Sequence, residues 1–148
     1  MKIEAQTTVN STLDKVFNVF TDLERAEERI DGINKIEILN PPAIMQVGTK
    51  WRETRVMFGK EATEDMWVSQ LNKNKNYVVE AESHGTHYRS EYTFKEVDDG
   101  ILVNMTFEGI PLSVMSKLMS FMFIFFAKST KKLLEKDMND LKNFIEKA

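Results

Sequence analysis

A chain of 148 residues has the length of one domain and can bury a real core. With 42% hydrophobic residues, 29% charged residues and a net charge of -3, it lacks the basic balance that a nucleic-acid partner calls for. Cysteine is absent, which excludes disulfides and thiolate chemistry, and His84 and His87 are too few for a histidine-rich metal site. No metal and no cofactor is expected.

The N-terminus "MKIEAQTTVN" has no apolar h-region, so no signal peptide is expected and the default location is cytoplasmic. "KIEAQTTVN" alternates as a strand does, with Ile3, Ala5, Thr7 and Val9 on one face. In "NSTLDKVFNVF", Ser11 and Asp14 have capping-box spacing, and Leu13, Val16, Phe17 and Phe20 form an apolar helical stripe. "DLERAEER" reads as a short, charged, solvent-facing helix. "INKIEIL" is a strand, ended by Asn40-Pro41-Pro42.

From Thr49 the chain reads as an antiparallel meander with Gly or Asp at each turn. A turn at Gly59-Lys60 sets Trp51 opposite Val68, Glu53 opposite Met66, Arg55 opposite Glu64 and Met57 opposite Ala62. On the other face it sets Arg52 opposite Trp67. A turn at His84-Gly85 sets Ala81 opposite Tyr88, Val79 opposite Ser90 and Tyr77 opposite Tyr92. Its other face pairs Glu80 with Arg89 and Glu82 with His87. Apolar residues and opposite charges segregate cleanly in the second hairpin, and a one-residue slip would send every side chain to the wrong face. One sheet face is therefore apolar, with Tyr77, Val79, Ala81, Tyr88, Tyr92, Phe94, Val103, Met105 and Phe107. Such a face needs a cover.

The cover is a long helix from Pro111 to about Lys147, with Pro111 suited to its first turn. Its core stripe is Phe123, Phe126, Ala127, Thr130, Leu133, Leu134, Met138, Leu141, Phe144 and Ile145. The opposite face is polar from Lys128 onward, but projected backwards it becomes Phe125, Phe121, Leu118 and Val114. The apolar run from Leu118 to Ala127 is about half of the roughly 20 residues a membrane-spanning helix needs. A helix of roughly 35 residues is about 50 Å long, against about 30 Å for strands of nine or ten residues. It therefore overhangs the sheet or breaks near Ser116 or Ser120. The surplus apolar face is covered by the loops before Gly48, by a second subunit, or by a ligand or membrane surface.

The order of elements is strand, two short helices, six strands and a long C-terminal helix. With "VNSTLDKVFNVFTDLE", "INKIEIL", "VGTKWRET", "YTF" and "GILVNMTFEG", the chain resembles the START-like (SRPBCC) superfamily, in its polyketide cyclase/dehydrase-type branch. The resemblance covers essentially the whole chain. It implies an α+β helix-grip fold, a curved antiparallel sheet of about seven strands wrapped around the C-terminal helix with a cavity between them. It also implies a hydrophobic small molecule or lipid as partner. The superfamily has no invariant catalytic motif, so no catalytic residue is carried over.

The candidate ligand walls are Trp51, Met66, Tyr77, Tyr88, Tyr92, Met105, Phe107, Phe123, Phe126, Ala127 and Thr130. The polar anchors are Arg55, Glu53 and Glu64, which share a face with Trp51, Met57 and Met66. Buried charges must be paired, and Arg55 opposite Glu64 meets that demand either as a ligand anchor or as a cross-strand ion pair at a wet rim. The tyrosine hydroxyls either present donors to a ligand or reach for backbone partners. His87 and His84 read as solvated surface histidines. Three functions follow: binding of a hydrophobic molecule; cyclase- or dehydratase-like proton transfer by Glu64 or Glu53; and an interaction module forming a homodimer through Val114, Leu118, Phe121 and Phe125.

Overall fold

The computed structural model describes residues 1–57 and 59–147, with the side chains of residues 119–125 outside that description. Alternating apolar residues give β1 (Lys2–Val9), whose Ile3, Ala5 and Val9 are buried. Then come α1 (Leu13–Phe20), a 3-10 turn (Leu23–Arg25) and the single α-turn α2 (Ala26–Arg29). The strands β2 (Ile33–Ile38), β3 (Lys50–Met57), β4 (Lys60–Asn72), β5 (Asn76–Ser83), β6 (Thr86–Val97) and β7 (Gly100–Pro111) follow, and α3 (Val114–Lys147) closes the chain. They form one antiparallel sheet of seven strands in the order β1-β7-β6-β5-β4-β3-β2. This is the α+β helix-grip architecture expected above.

The second hairpin has the expected register: Tyr77 faces Tyr92, Val79 faces Ser90, Ala81 faces Tyr88 and Glu82 faces His87. The first is displaced by two residues. Trp51 faces Met66, Glu53 faces Glu64, Arg55 faces Ala62 and Arg52 faces Asp65. A two-residue shift keeps every side chain on its face and changes every partner, because the pleat repeats every second residue. What decides the partner is the turn, which falls one residue earlier: Lys60 already pairs with Met57. On the outer face Arg52 thereby gains Asp65, with Nε–Oδ1 2.7 Å.

The helix termini also differ from expectation. Thr12, not Ser11, caps α1: its hydroxyl accepts from the Lys15 N–H at 3.3 Å, while the Ser11 N–H donates to the Val9 carbonyl. Pro111 ends β7 rather than opening α3, and the Leu112 N–H donates to the Gly85 carbonyl at 2.8 Å. Ser113 precedes the first turn of α3 and accepts from the Ser116 N–H at 3.1 Å.

The core forms where α1 and the C-terminal half of α3 lie on the sheet. Phe17 and Phe20 meet the Phe94 ring edge-on, with centroids 5.1 and 5.5 Å away. Met138, Leu141 and Ile145, spaced for one helical face, are buried against this layer. Polar ties fix the same half of α3. Lys142 Nζ donates to the Thr8 carbonyl at 2.8 Å, the Asn10 N–H to Glu146 at 2.8 Å, and the Asp31 N–H to Asp140 at 3.0 Å. Phe144 lies under the Arg29 guanidinium, 4.0 Å from the ring centroid.

The other end of α3 rests on the β5–β6 turn, where buried Ser116 hydrogen-bonds Ser113 and the His84 carbonyl. Overhang is smaller than expected because β6 and β7 have 12 residues and β4 has 13, a reach of about 40 Å. The loops do not cover the start of the helix: Val114 is 76% exposed and Leu118 63%. Phe121 and Phe125, the other two members of that face, lie outside the described residues.

Gly85 serves this contact twice. Its φ is +75°, and a Cβ there would collide with the Ser116 hydroxyl. Gly59 has a similar φ of +78° but open space around it. Gly59→Ala should cost about 1–2 kcal/mol from the left-handed backbone alone, and Gly85→Ala more. Urea midpoints measure this, and equal shifts would show that the turn does not grip α3.

Candidate functional site

The sheet curves away from α3 and leaves a cavity of about 290 Å³. Apolar alternation along the middle strands supplies one wall: Trp51, Met57, Met66, Tyr77, Val79, Ala81, Tyr88, Tyr92, Met105 and Phe107. The helix supplies Phe126, Thr130, Leu133, Leu134, Met138 and Leu141. Phe20, Leu23 and Ile30 close a third side, with Ile33, Ile36 and Met45. The rings organise in pairs, Tyr77 stacked on Tyr92 with centroids 4.7 Å apart and Tyr88 on Phe107 at 5.6 Å.

Of the described side chains assigned to ligand walls and anchors, all but Ala127 line one cavity. Ala127 is half-buried on α3 and shares the helix face of Leu134 and Met138, but its single methyl does not reach the cavity. Phe123 lies outside the described residues.

Charge enters the cavity from β3, β4 and α3. Arg55 does not pair with Glu64, as the displaced register dictates. Its Nε donates to Glu53 Oε2 at 3.0 Å, two residues along the same face of β3, and its Nη2 meets Asp137 Oδ2 on α3 at 2.9 Å. All three side chains are largely buried. Burial opposes the Arg55 charge, but Glu53 and Asp137 outweigh it and hold its pKa above the usual value. For Asp137 burial is the larger effect and raises its pKa despite Arg55.

Sequence reasoning missed Asp137. It sits next to Met138 at the edge of the core stripe, where it reads as one more charge of the wet face. Its three-residue spacing from Leu134 and four-residue spacing from Leu141 was the available signal, since both neighbours lie on the buried side.

Glu64 lines the same cavity opposite Glu53. Among the described residues it forms no ion pair. Burial lifts its pKa above the ordinary 4.5; the Ser83 hydroxyl counters this, and the Glu53 charge adds to it. Tyr77 donates to the Phe20 carbonyl, a long contact of 3.4 Å, so this hydroxyl reaches for the backbone. Burial pushes the Tyr77, Tyr92 and Tyr88 hydroxyls up in pKa, which keeps them neutral donors. Trp51 is 3% exposed, and its indole N–H has no hydrogen-bond partner among the described residues.

His87 lies on the outer face, but held rather than free. Its Nε2 is 2.7 Å from Glu80 and its Nδ1 3.0 Å from Glu82, and its pKa is raised by these bonds, Glu80 first. Among the described residues no group of three or more His, Asp and Glu side chains is placed to hold a metal, and no helix is long and apolar enough to cross a membrane.

No family model and no curated protein matches the sequence. Solved structures do resemble it. Ara h 8.0201 has a TM-score of 0.76 at 13% identity, over 100% of this chain and 99% of that one. TTHA0849 from Thermus thermophilus has a TM-score of 0.77 at 14% identity, over 98% and 97%. The di-domain ARO/CYC StfQ from the steffimycin biosynthetic pathway has a TM-score of 0.79 at 11% identity, and the likeness covers 99% of this chain and 51% of that one. At such identities the likeness shows the shared helix-grip fold.

Replacing Arg55 by Met should strand two buried carboxylates and cost about 3 kcal/mol of unfolding free energy. The triple change E53Q/R55M/D137N should recover most of that loss in the same urea titration. Glu64 carries the opposite sign. Its folded pKa is raised, so ionising it disfavours the fold: the penalty is absent well below pH 4.5, grows as pH rises, and is complete above the folded pKa. Glu64→Gln should therefore raise the melting temperature at pH 8, with the gain closing toward pH 4. A gain that is flat with pH would refute the burial of this charge.

Proposed function

We propose that this protein binds a hydrophobic small molecule or lipid in the cavity between α3 and the concave sheet, as a member of the START-like superfamily in its polyketide cyclase/dehydrase-type branch. The observation that carries this reading is the cavity itself, walled by stacked aromatics and aliphatic side chains and provided with a few convergent charges. Its volume of about 290 Å³ stands at the lower edge of ligand pockets, roughly 300–1,000 Å³. The ligand is therefore small, or only its apolar part is enclosed. Phe126 lines the cavity while 44% exposed, which marks a place where the cavity meets solvent. Binding residues on this reading are Trp51, Met66, Tyr88, Tyr92, Met105, Phe107, Phe126 and Thr130, with Tyr77 behind them.

Two further readings each rest on one observation. Glu64, a cavity carboxylate with a raised pKa, has the property of a general acid or base, the role a cyclase- or dehydratase-like reaction needs. The exposed Val114, Met115 and Leu118 favour a contact surface at the start of α3, with a second copy of the chain as the occupant first suggested by the sequence.

The neutral fluorophore N-phenyl-1-naphthylamine tests the binding reading. It should bind saturably at one site per chain. Ala81→Trp, which fills the cavity from β5, should abolish that binding without loss of the folded circular dichroism spectrum. Absence of saturable binding to the native protein would overturn the reading. Native mass spectrometry of the same sample reports any co-purified ligand and the state of assembly.

A further inference from the structure

The charges of the cavity do not balance. Four acidic residues border it; the Glu80 carboxylate is taken by His87 on the outer face, which leaves Glu53, Glu64 and Asp137, and among the described lining residues Arg55 is the one cationic side chain, the Met1 ammonium being bonded to the Gly109 carbonyl. Arg55 is committed on two sides, through Nε to Glu53 and through Nη2 to Asp137. It therefore works as a bridge from β3 to α3 and not as a free anchor for an anion. Glu64 is left over, facing Glu53 across the β3–β4 ladder. Like charges directly opposite each other on one sheet face destabilise it. A ligand carboxylate would add a fourth negative charge to this end of the cavity, whereas a ligand cation would meet the unpaired one.

The walls favour the same chemistry. Tyr92 and Tyr88 stand on β6, Phe107 on β7, and their rings line the cavity beside the carboxylates. Aromatic faces attract ammonium groups, more so where water is excluded.

Resting on the proposed binding function, we propose that the polar end of the ligand is an ammonium group, received by Glu64 between Glu53 and the Tyr88–Phe107 pair. The ligand class is an amphiphilic amine. The groups that face Glu64 and set its charge are Glu53 and Arg55 from β3, Ser83 and His84 at the end of β5, and Tyr88 from β6. The cation-free state, with two carboxylates face to face, is the one in which Glu64 holds a proton most readily.

Displacement of N-phenyl-1-naphthylamine by octylamine, octanol and octanoate separates the possibilities. At pH 8 octylamine should compete about tenfold better than octanol, the size of one charge-assisted contact, and octanoate worse than either. Octylamine keeps its charge down to pH 4 as lysine does, so its advantage should fade as Glu64 takes up a proton. Glu64→Gln should remove the advantage at pH 8, so that octylamine competes no better than octanol. Equal competition by octylamine and octanol, or preference for octanoate, would overturn the ammonium while hydrophobic binding stands. If the fluorophore itself does not bind, the binding function fails and this inference with it.

Discussion

The Arg55 ion bridge is what the geometry of this cavity depends on. A sheet with an apolar concave face and an amphipathic helix would close on each other to expel water if nothing opposed them. Here they close at one side only. Toward β1 and β7 the helix lies on the sheet with Met138, Leu141 and Ile145 buried. Toward β3 it is joined by the reach of an arginine, from Glu53 on the strand to Asp137 on the helix. A guanidinium with two carboxylates occupies length that an apolar contact would not, and satisfies its own hydrogen bonds while doing so. The separation of α3 from β3 is thus held open by a paired charge, and the cavity is the space that remains.

The grip at the two ends of α3 follows the same logic. Its C-terminal half is fixed by side chains that meet backbone groups of the β1 end and the loop before β2: Lys142, Glu146 and Asp140. Its first turn is fixed by serines on the β5–β6 turn, where a glycine at left-handed φ lets the two backbones approach. Between these points the helix crosses the open side of the sheet as a beam with two supports. The helix lines the cavity between Phe126 and Leu141, the stretch whose outer face carries Lys128, Lys132 and Lys136.

Much of this was legible in the sequence, and the parts that were not have a common cause. Period-two alternation fixes faces, so the concave residues from Trp51 to Phe107 could be assigned before any partner was known. Partners depend on the turn. At His84-Gly85 the charges opposite each other, Glu82 with His87 and Glu80 with Arg89, select one register. At Gly59 two registers keep the same faces, and the observed one gains Arg52 with Asp65 and the Thr54–Thr63 hydroxyl contact. The consequence was large, because it moved Arg55 from Glu64 to Glu53 and Asp137. Asp137 itself was hidden for a related reason: helical periodicity assigns a residue to a face, but whether a boundary residue turns inward is decided by what waits across the gap, here a guanidinium.

The two faces of the sheet show how the chain treats carboxylates. On the outer face Asp65 has Arg52, Glu91 has Arg89, and Glu80 and Glu82 share His87. These residues stand in water, where an unpaired charge would cost little. On the inner face, where pairing matters most, Glu53 and Asp137 have Arg55, and Glu64 has no cation among the described residues. A cross-strand position opposite Glu53 would be better filled by a lysine or an apolar residue if stability alone set the choice. Among the described residues Glu64 is thus the one inner-face carboxylate without a cation, and on our proposal its partner belongs to what the cavity receives.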